Sequence, residues 1–216
     1  FFRVGLFENP YLDPAESTAV VGCEAFVAAG RAAQRDSLVL LKNRGAGGDG
    51  AGRVLPLAED VARVHVPHRR VDARLGFMRQ VEPPRDTDPL VAGACPYERA
   101  ADPDSADAAV VFVESPLTDP YSLEDREAGG NGYLPISLQY GPYTASTARE
   151  RSIAHGDDRE REHPDRAYRG KTTRAANASD LAAVIDARRA MGERPVIVII
   201  RMHNPTVLAE LEPYAD

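Results

Sequence analysis

Hydrophobic positions recur along the chain in two rhythms. Short apolar runs at 37–43 (SLVLLKN), 61–68 (VARVHVPH), 106–116 (ADAAVVFVESP) and 194–202 (RPVIVIIRM) predict strands. The second alternates; the others are nearly continuous, as in strands buried on both faces of a sheet. Residues 15–35 predict a helix, with Glu16 and Ser17 at its start and Val20, Val21, Phe26 and Val27 as an apolar stripe among alanines. SDLAAVIDARRAMG (179–192) predicts another, capped by Ser179, striped by Leu181, Val184, Ile185 and Met191, and stopped at Gly192. In HNPTVLAELEP, Asn204 as N-cap, Pro205 at the first helical position and Pro213 past the end predict a last helix.

Buried apolar strands separated by helices imply an α/β fold. The expectation is a three-layer αβα sandwich with a mainly parallel sheet, preceded by an extended linker (1–14) and the 15–35 helix. Residues 69–105 and 117–178 show no clean period. A connection as long as the second is functional or mobile in a compact domain. In such a sheet ligands gather where strands end, here after Val113 and after Met202.

Composition narrows the partners. An apolar content of 43% supplies a core, and a net charge of −7 argues against nucleic acid. No apolar run approaches the roughly 20 residues that cross a bilayer. Cys23, in the helical segment, and Cys95, in a loop, make no disulfide framework. The histidines (65, 68, 155, 163, 203) have no metal-ligand spacing, so no metal is expected, and His65 and His68 read as ordinary strand and loop residues. Capping and turn formation account for Lys42 and Asn43. RGAGGDGAG (44–52) is a glycine-rich loop but not a phosphate loop, because no Gly-Lys-Ser/Thr closes it. The charge-dense stretch 149–166 reads as solvated surface. The beginning, FFRVGLFENPY, and the end, LAELEPYAD, read as breaks within a longer chain.

REAGGNGYLPISLQYGPYTA (126–145) differs from everything around it. It holds four glycines, three tyrosines and two prolines, downstream of a run of acids. Tyr133, Tyr140 and Tyr143 carry flat apolar faces with a hydroxyl at the edge, suited to a sugar ring. They are equally suited to packing on their own scaffold, as in a compact surface loop.

Several segments, in order, resemble glycoside hydrolase family 3, the β-glucosidase family. They are GLFENPYLDP (5–14), AGRAAQRDSLVLLKN (29–43) followed by LPL (55–57), ADAAVVFVESP, and RPVIVIIRMHNPTVLAELEPYAD. The first resembles the connector leaving the family's barrel, the others its second, α/β sandwich domain. Residues 117–178 resemble an insertion found in a subset of that family. The resemblance implies that 1–14 link to an N-terminal barrel of the same protein and that 15–216 are a truncated second domain.

It also implies a retaining mechanism on a β-glucoside or short oligosaccharide, without metal or organic cofactor, and is compatible with a homo-oligomer. The nucleophilic aspartate belongs to the barrel, outside these residues. The acid/base, commonly a glutamate past the strand matching VVFV, falls at Asp119, one methylene shorter. Glu114, nearer the strand end, and Glu124, beside Asp125, Arg126 and Glu127, are the alternatives. Retaining chemistry needs its two carboxyl groups about 5–5.5 Å apart, so this chain alone is expected to be inactive. Tyr133, Tyr140 and Tyr143 would form a lid over the barrel's sugar. The competing readings are a non-catalytic sugar-binding or assembly module, favoured by aspartate at 119, and a flavodoxin-like nucleotide domain, disfavoured by the lack of a phosphate loop.

Overall fold

A computed structural model describes residues 1–11, 13–45, 52–75, 80–91, 93–152 and 165–216. Most of the glycine-rich stretch 44–52, much of 149–166, and both His155 and His163 lie outside the described residues. The chain divides into two compact units, Phe1–Leu41 and Lys42–Asp216.

The first unit is helical. The stretch read as an extended linker instead opens with a 3-10 turn at Phe2–Val4, where Phe2 and Phe7 stack with ring centroids 4.9 Å apart. Helix α1 (Pro14–Val20) starts with the Asp13 carboxylate accepting from the Ala15 N–H and with Pro14 at the first helical position. The single helix expected over 15–35 is two. Gly22, at φ +73°, ends the first, and Cys23 in extended geometry caps α2 (Glu24–Asp36). The strand expected at 37–43 is absent. Leu38, Val39, Leu40 and Leu41 are exposed and join no ladder, and an extended run without a hydrogen-bonding neighbour is not a strand.

The second unit is an α/β sandwich. Strands β1 (Arg63–His65), β6 (Glu98–Ala100), β7 (Ala108–Glu114) and β10 (Val196–Arg201) form a parallel sheet ordered β10-β7-β1-β6. β7 pairs with β10 in register from Ala109–Val196 to Glu114–Arg201. Alternation along β7 splits its side chains between two cores. Ala109, Val111 and Val113 face a cluster with Val184, Ala187, Met191, Tyr140 and Leu211. Ala108 sits with Val64, Val66 and Ile197 on the opposite face, where Val110, Phe112, Leu55, Leu57 and Tyr97 pack against them. The near-continuous apolar run at 108–113 is thus the mark of two buried faces, as expected.

Helix α4 (Ala178–Met191) covers the first core. Its cap is Asn177 rather than Ser179, because Ser179 Oγ donates to the Arg70 carbonyl instead. Gly192, at φ +59°, stops it where the sequence placed the stop. No last α-helix forms after Asn204. The Asn204 and His203 N–H groups donate to Ser115 Oγ, and the Val207 N–H donates to the Leu138 carbonyl. Val207 stands extended (φ −76°, ψ +90°), which interrupts a helix, and only short 3-10 turns at Leu208–Glu210 and Glu212–Tyr214 follow.

Residues 69–105 contain more regular structure than their pattern shows. β2 (Arg69–Val71) pairs antiparallel with β5 (Arg85–Thr87), and β3 (Arg74–Leu75) with β4 (Val81–Glu82). A further antiparallel pair, β8 (Tyr143–Thr144) with β9 (Thr172–Thr173), ties the tyrosine-rich stretch to the residues before α4.

In chain order the sheet runs 2-1-3-4 from β6 to β10, so its connections switch direction between β1 and β7. Crevices for ligands form at the carboxyl ends of strands, and foremost at such a switch. That edge carries the polar groups described next.

Candidate functional site

Glu114 ends β7 and is 6% exposed. A carboxylate so placed needs cations, and it has them. Arg201, its register partner on β10, bonds one oxygen, and Arg69 Nη1 lies 3.3 Å from the other. His203 Nε2 stands 3.9 Å away. Arg69, on β2, bridges the end of β7 and the first turn of α4. Its Nε and Nη2 donate to the two oxygens of Asp180 at 3.1 and 2.8 Å. Burial alone would lower the Arg69 guanidinium, but hydrogen bonds and charge from Asp180 and Glu114 outweigh it, and its pKa is raised.

Asp180 lies in the first turn of α4, where a negative charge is favoured, and also accepts from the Glu114 N–H at 3.1 Å. Asn177 completes the cluster. Its Nδ2 donates to Asp180 and to the carbonyls of Glu114 and Ser115, while its Oδ1 accepts from the Leu117 N–H at 2.7 Å. The carboxyl end of β7 is therefore occupied by the protein's own ionic clasp. Only its rim, Arg201 and His203, opens to solvent.

The three acids singled out in the sequence are not gathered into one group. Glu114 is the clasp just described. Asp119 sits beside β3: its Oδ2 accepts from the Leu75 N–H at 2.8 Å, and its buried Oδ1 is 3.5 Å from Arg74 Nε without a hydrogen bond. Glu124 is exposed in the first turn of α3 (Leu123–Glu127), which Ser122 caps by accepting from the Asp125 N–H.

The tyrosine-rich stretch packs largely on its own scaffold. Tyr140 is 1% exposed, and its hydroxyl donates to the Glu114 carbonyl at 2.5 Å. Burial, foremost, and the Asp180 charge push its pKa up. Glu210 holds the neighbouring turn by accepting from the Tyr140 and Gly141 N–H groups at 2.7 and 3.0 Å. Tyr133 stands edge-on to Tyr121, centroids 5.5 Å apart, with Arg166 over its ring. Tyr143, on β8, is exposed.

The centre of this loop is a cluster that sequence reasoning missed. Lys171 Nζ donates to Asp125 at 2.6 Å and to Asn131 at 2.5 Å; Asp125 also accepts from the Gly132 N–H, and Asn131 donates to the carbonyls of Asp165 and Ala167. Burial raises the Asp125 carboxyl, but Lys171 and Gly132 more than offset it, so its pKa is lowered. Gly132, at φ +80°, leaves room for the Tyr121 ring 2.5 Å from where a Cβ would stand.

Sheet, clasp and acid-bearing loop define an α/β sandwich domain whose polar groups gather along the carboxyl edge. Among the described residues, no His, Cys, Asp or Glu group is arranged to hold a metal, and no helix is long and apolar enough to cross a membrane. No family model matches the chain, and no solved structure does. One segment is similar to a curated protein, "Probable beta-glucosidase C" of Aspergillus flavus, at 52% identity over 42 residues. That segment is 19% of this chain, and the chain spans only 7% of that relative. A segment of the chain is thus related to a glycoside hydrolase.

Proposed function

We propose that this chain is the second, α/β domain of a β-glucosidase-like hydrolase of family 3, with residues 1–14 as the connector from a barrel. The observation that carries the reading is the 52% identity to the Aspergillus flavus protein over 42 residues. The parallel sheet with an acid-bearing loop beyond β7 supports it. The barrel supplies the nucleophilic aspartate. This chain contributes a carboxyl group that protonates the leaving oxygen and then deprotonates water, acting on a β-glucoside or short oligosaccharide.

The three acids divide by their surroundings. Both Glu114 oxygens face guanidinium groups, which suits a positioning role. Asp119 and Glu124 are the acids left to meet a sugar. Asp119 has Oδ2 on the Leu75 N–H and Oδ1 buried beside Arg74, so it meets a sugar only if those contacts are given up, whereas Glu124 is exposed. Tyr143 is the tyrosine of the stretch available to a ligand.

Leaving-group chemistry tests this. In the gene's full product, Asp119→Asn and Glu124→Gln are assayed on aryl β-glucosides with good and poor leaving groups. Loss of the acid slows poor leaving groups by about 10²–10⁴-fold and good ones far less. If neither variant shows that dependence, the acid/base assignment fails.

A second reading, a non-catalytic sugar-binding or assembly module, is supported by the hold of Leu75 and Arg74 on Asp119. It predicts a full product that binds β-glucosides without hydrolysing them.

A further inference from the structure

Asn131–Gly132 is the one Asn-Gly step in the sequence. Such a step carries its own reaction. The glycine's backbone nitrogen attacks the asparagine's side-chain carbonyl carbon, a five-membered imide forms, and ammonia leaves. Glycine hinders that approach least, having no Cβ and a permissive φ. Water then opens the imide to aspartate or isoaspartate. Here the bond from Gly132 N to Asn131 Cγ would form and the Cγ–Nδ2 bond would break. The Gly132 amide proton leaves with the amine as ammonia, and one water is consumed.

In the folded loop every group that this reaction needs is already engaged. The Gly132 N–H, which must give up its proton, donates to Asp125 Oδ2 at 2.7 Å, and Gly132 is buried. Asn131 Nδ2, the leaving amine, donates to the carbonyls of Asp165 and Ala167 at 2.8 and 2.6 Å. Asn131 Oδ1 accepts from Lys171 Nζ at 2.5 Å and from the Tyr133 N–H at 3.0 Å. The side chain must surrender these bonds before it can turn onto its own backbone. Lys171 fastens both parties, because it also donates to Asp125 at 2.6 Å. One ammonium thus holds the amide that would be attacked and the carboxylate that restrains the attacking nitrogen.

The same contacts make the change one-way. An aspartate at 131 has no N–H to give. Its carboxylate would face the Asp165 and Ala167 carbonyls, acceptor against acceptor, and would share Lys171 with a second carboxylate, Asp125. Isoaspartate adds a methylene to the backbone as well. Neither product rebuilds the lock. Asp125 belongs to α3, the helix that carries Glu124, so an open lock loosens the acid-bearing turn too. We propose that Asn131 is a self-modification site gated by the Lys171–Asp125–Asn131 lock. It is silent while the loop is closed, converts to aspartate or isoaspartate when the loop opens, and bars reclosure afterwards.

The readout is a change in mass, so the result does not depend on the glycosidase reading. The 216-residue chain is held at neutral pH in buffer and, in parallel, in guanidinium chloride. The peptide containing residue 131 is followed by mass spectrometry for replacement of the amide by a carboxyl group and for isoaspartate. The folded chain is expected to convert at least about tenfold more slowly than the denatured one, since only its open fraction reacts. Lys171→Met, checked for folding by circular dichroism, is expected to convert severalfold faster than the parent, and Asn131→Asp to melt at a lower temperature. If Lys171→Met does not fold, the folded and denatured rates and Asn131→Asp carry the test. Four results each overturn the proposal: a folded rate equal to or above the denatured one, a folded Lys171→Met no faster than the parent, an Asn131→Asp chain that melts with the parent, or a lasting loss of ammonia that joins the 131 and 171 peptides.

Discussion

Arg69 holds Asp180 through two donors, at 3.1 and 2.8 Å, across a sequence distance of 111 residues. The pair joins the segment after β1 to the first turn of α4, and the Arg69 and Asp180 side chains are 13% and 1% exposed. Breaking such a pair leaves a buried carboxylate uncompensated. Arg69→Met is expected to cost about 3–5 kcal/mol in urea denaturation. A loss below about 1 kcal/mol would mean that the clasp is an exposed, screened pair.

Tyr140 distinguishes a core residue from a sugar platform. Tyr140→Phe removes the bond to the Glu114 carbonyl, which keeps its Asn177 partner, so the cost should be about 0.5–1.5 kcal/mol. Tyr140→Ala, emptying a fully buried site, should cost about 3–5 kcal/mol. Thermal melts of both variants check this; a Tyr140→Ala protein as stable as the parent contradicts the core assignment.

Two glycines in the same loop should respond differently to alanine. Gly129 has φ +90° and open space around it, so Gly129→Ala carries backbone strain alone, about 1 kcal/mol. Gly132→Ala adds a collision with the Tyr121 ring, 2.5 Å from the new carbon, and should cost clearly more. Equal losses in chemical denaturation would contradict the packing of Tyr121 against this turn.

Acid should weaken the fold in two stages. His65 has a pKa lowered from 6.5 in the folded chain, so as pH falls through about 6.5 the unfolded chain takes up a proton the folded one resists, and stability declines. Asp125 is lowered from 3.8; its contribution is complete above that value and is lost as pH falls below it through the folded pKa. Melting temperatures between pH 8 and 3 read both stages. The upper one should flatten in His65→Phe, and an unchanged slope there contradicts it.

Long, strongly periodic elements were legible in the sequence. β7, β10 and α4 stand within a few residues of where their apolar patterns put them, because each buries a face that the pattern records. The run at 37–43 carries the same pattern without a ladder to join. The segment after Asn204 has every helix signal, yet Val207 stands extended with its N–H on the Leu138 carbonyl, and no local signal reports a partner so far back in the chain. The strand pairs within 69–105 are two or three residues long, too short for a period to show.

The contacts around the named residues were not legible in the sequence. Glu114 was named as an acid/base alternative for its place near the strand end; its two guanidinium partners were not foreseen, because Arg69 comes from a stretch with no pattern. Lys171 escaped notice because its partner Asp125 lies 46 residues back along an irregular path. Tyr140 was chosen for its ring, and its burial follows from Glu210 and Glu114, which sequence spacing does not connect to it.

Turnover of an aryl β-glucoside, measured separately for the gene's full product and for these 216 residues, tests the central claim most directly. The proposal places the nucleophile on a barrel elsewhere in the full product, and so predicts hydrolysis by that product and none by this chain. Sustained turnover by the isolated chain, or a full product that folds but hydrolyses no β-glucoside, would contradict it.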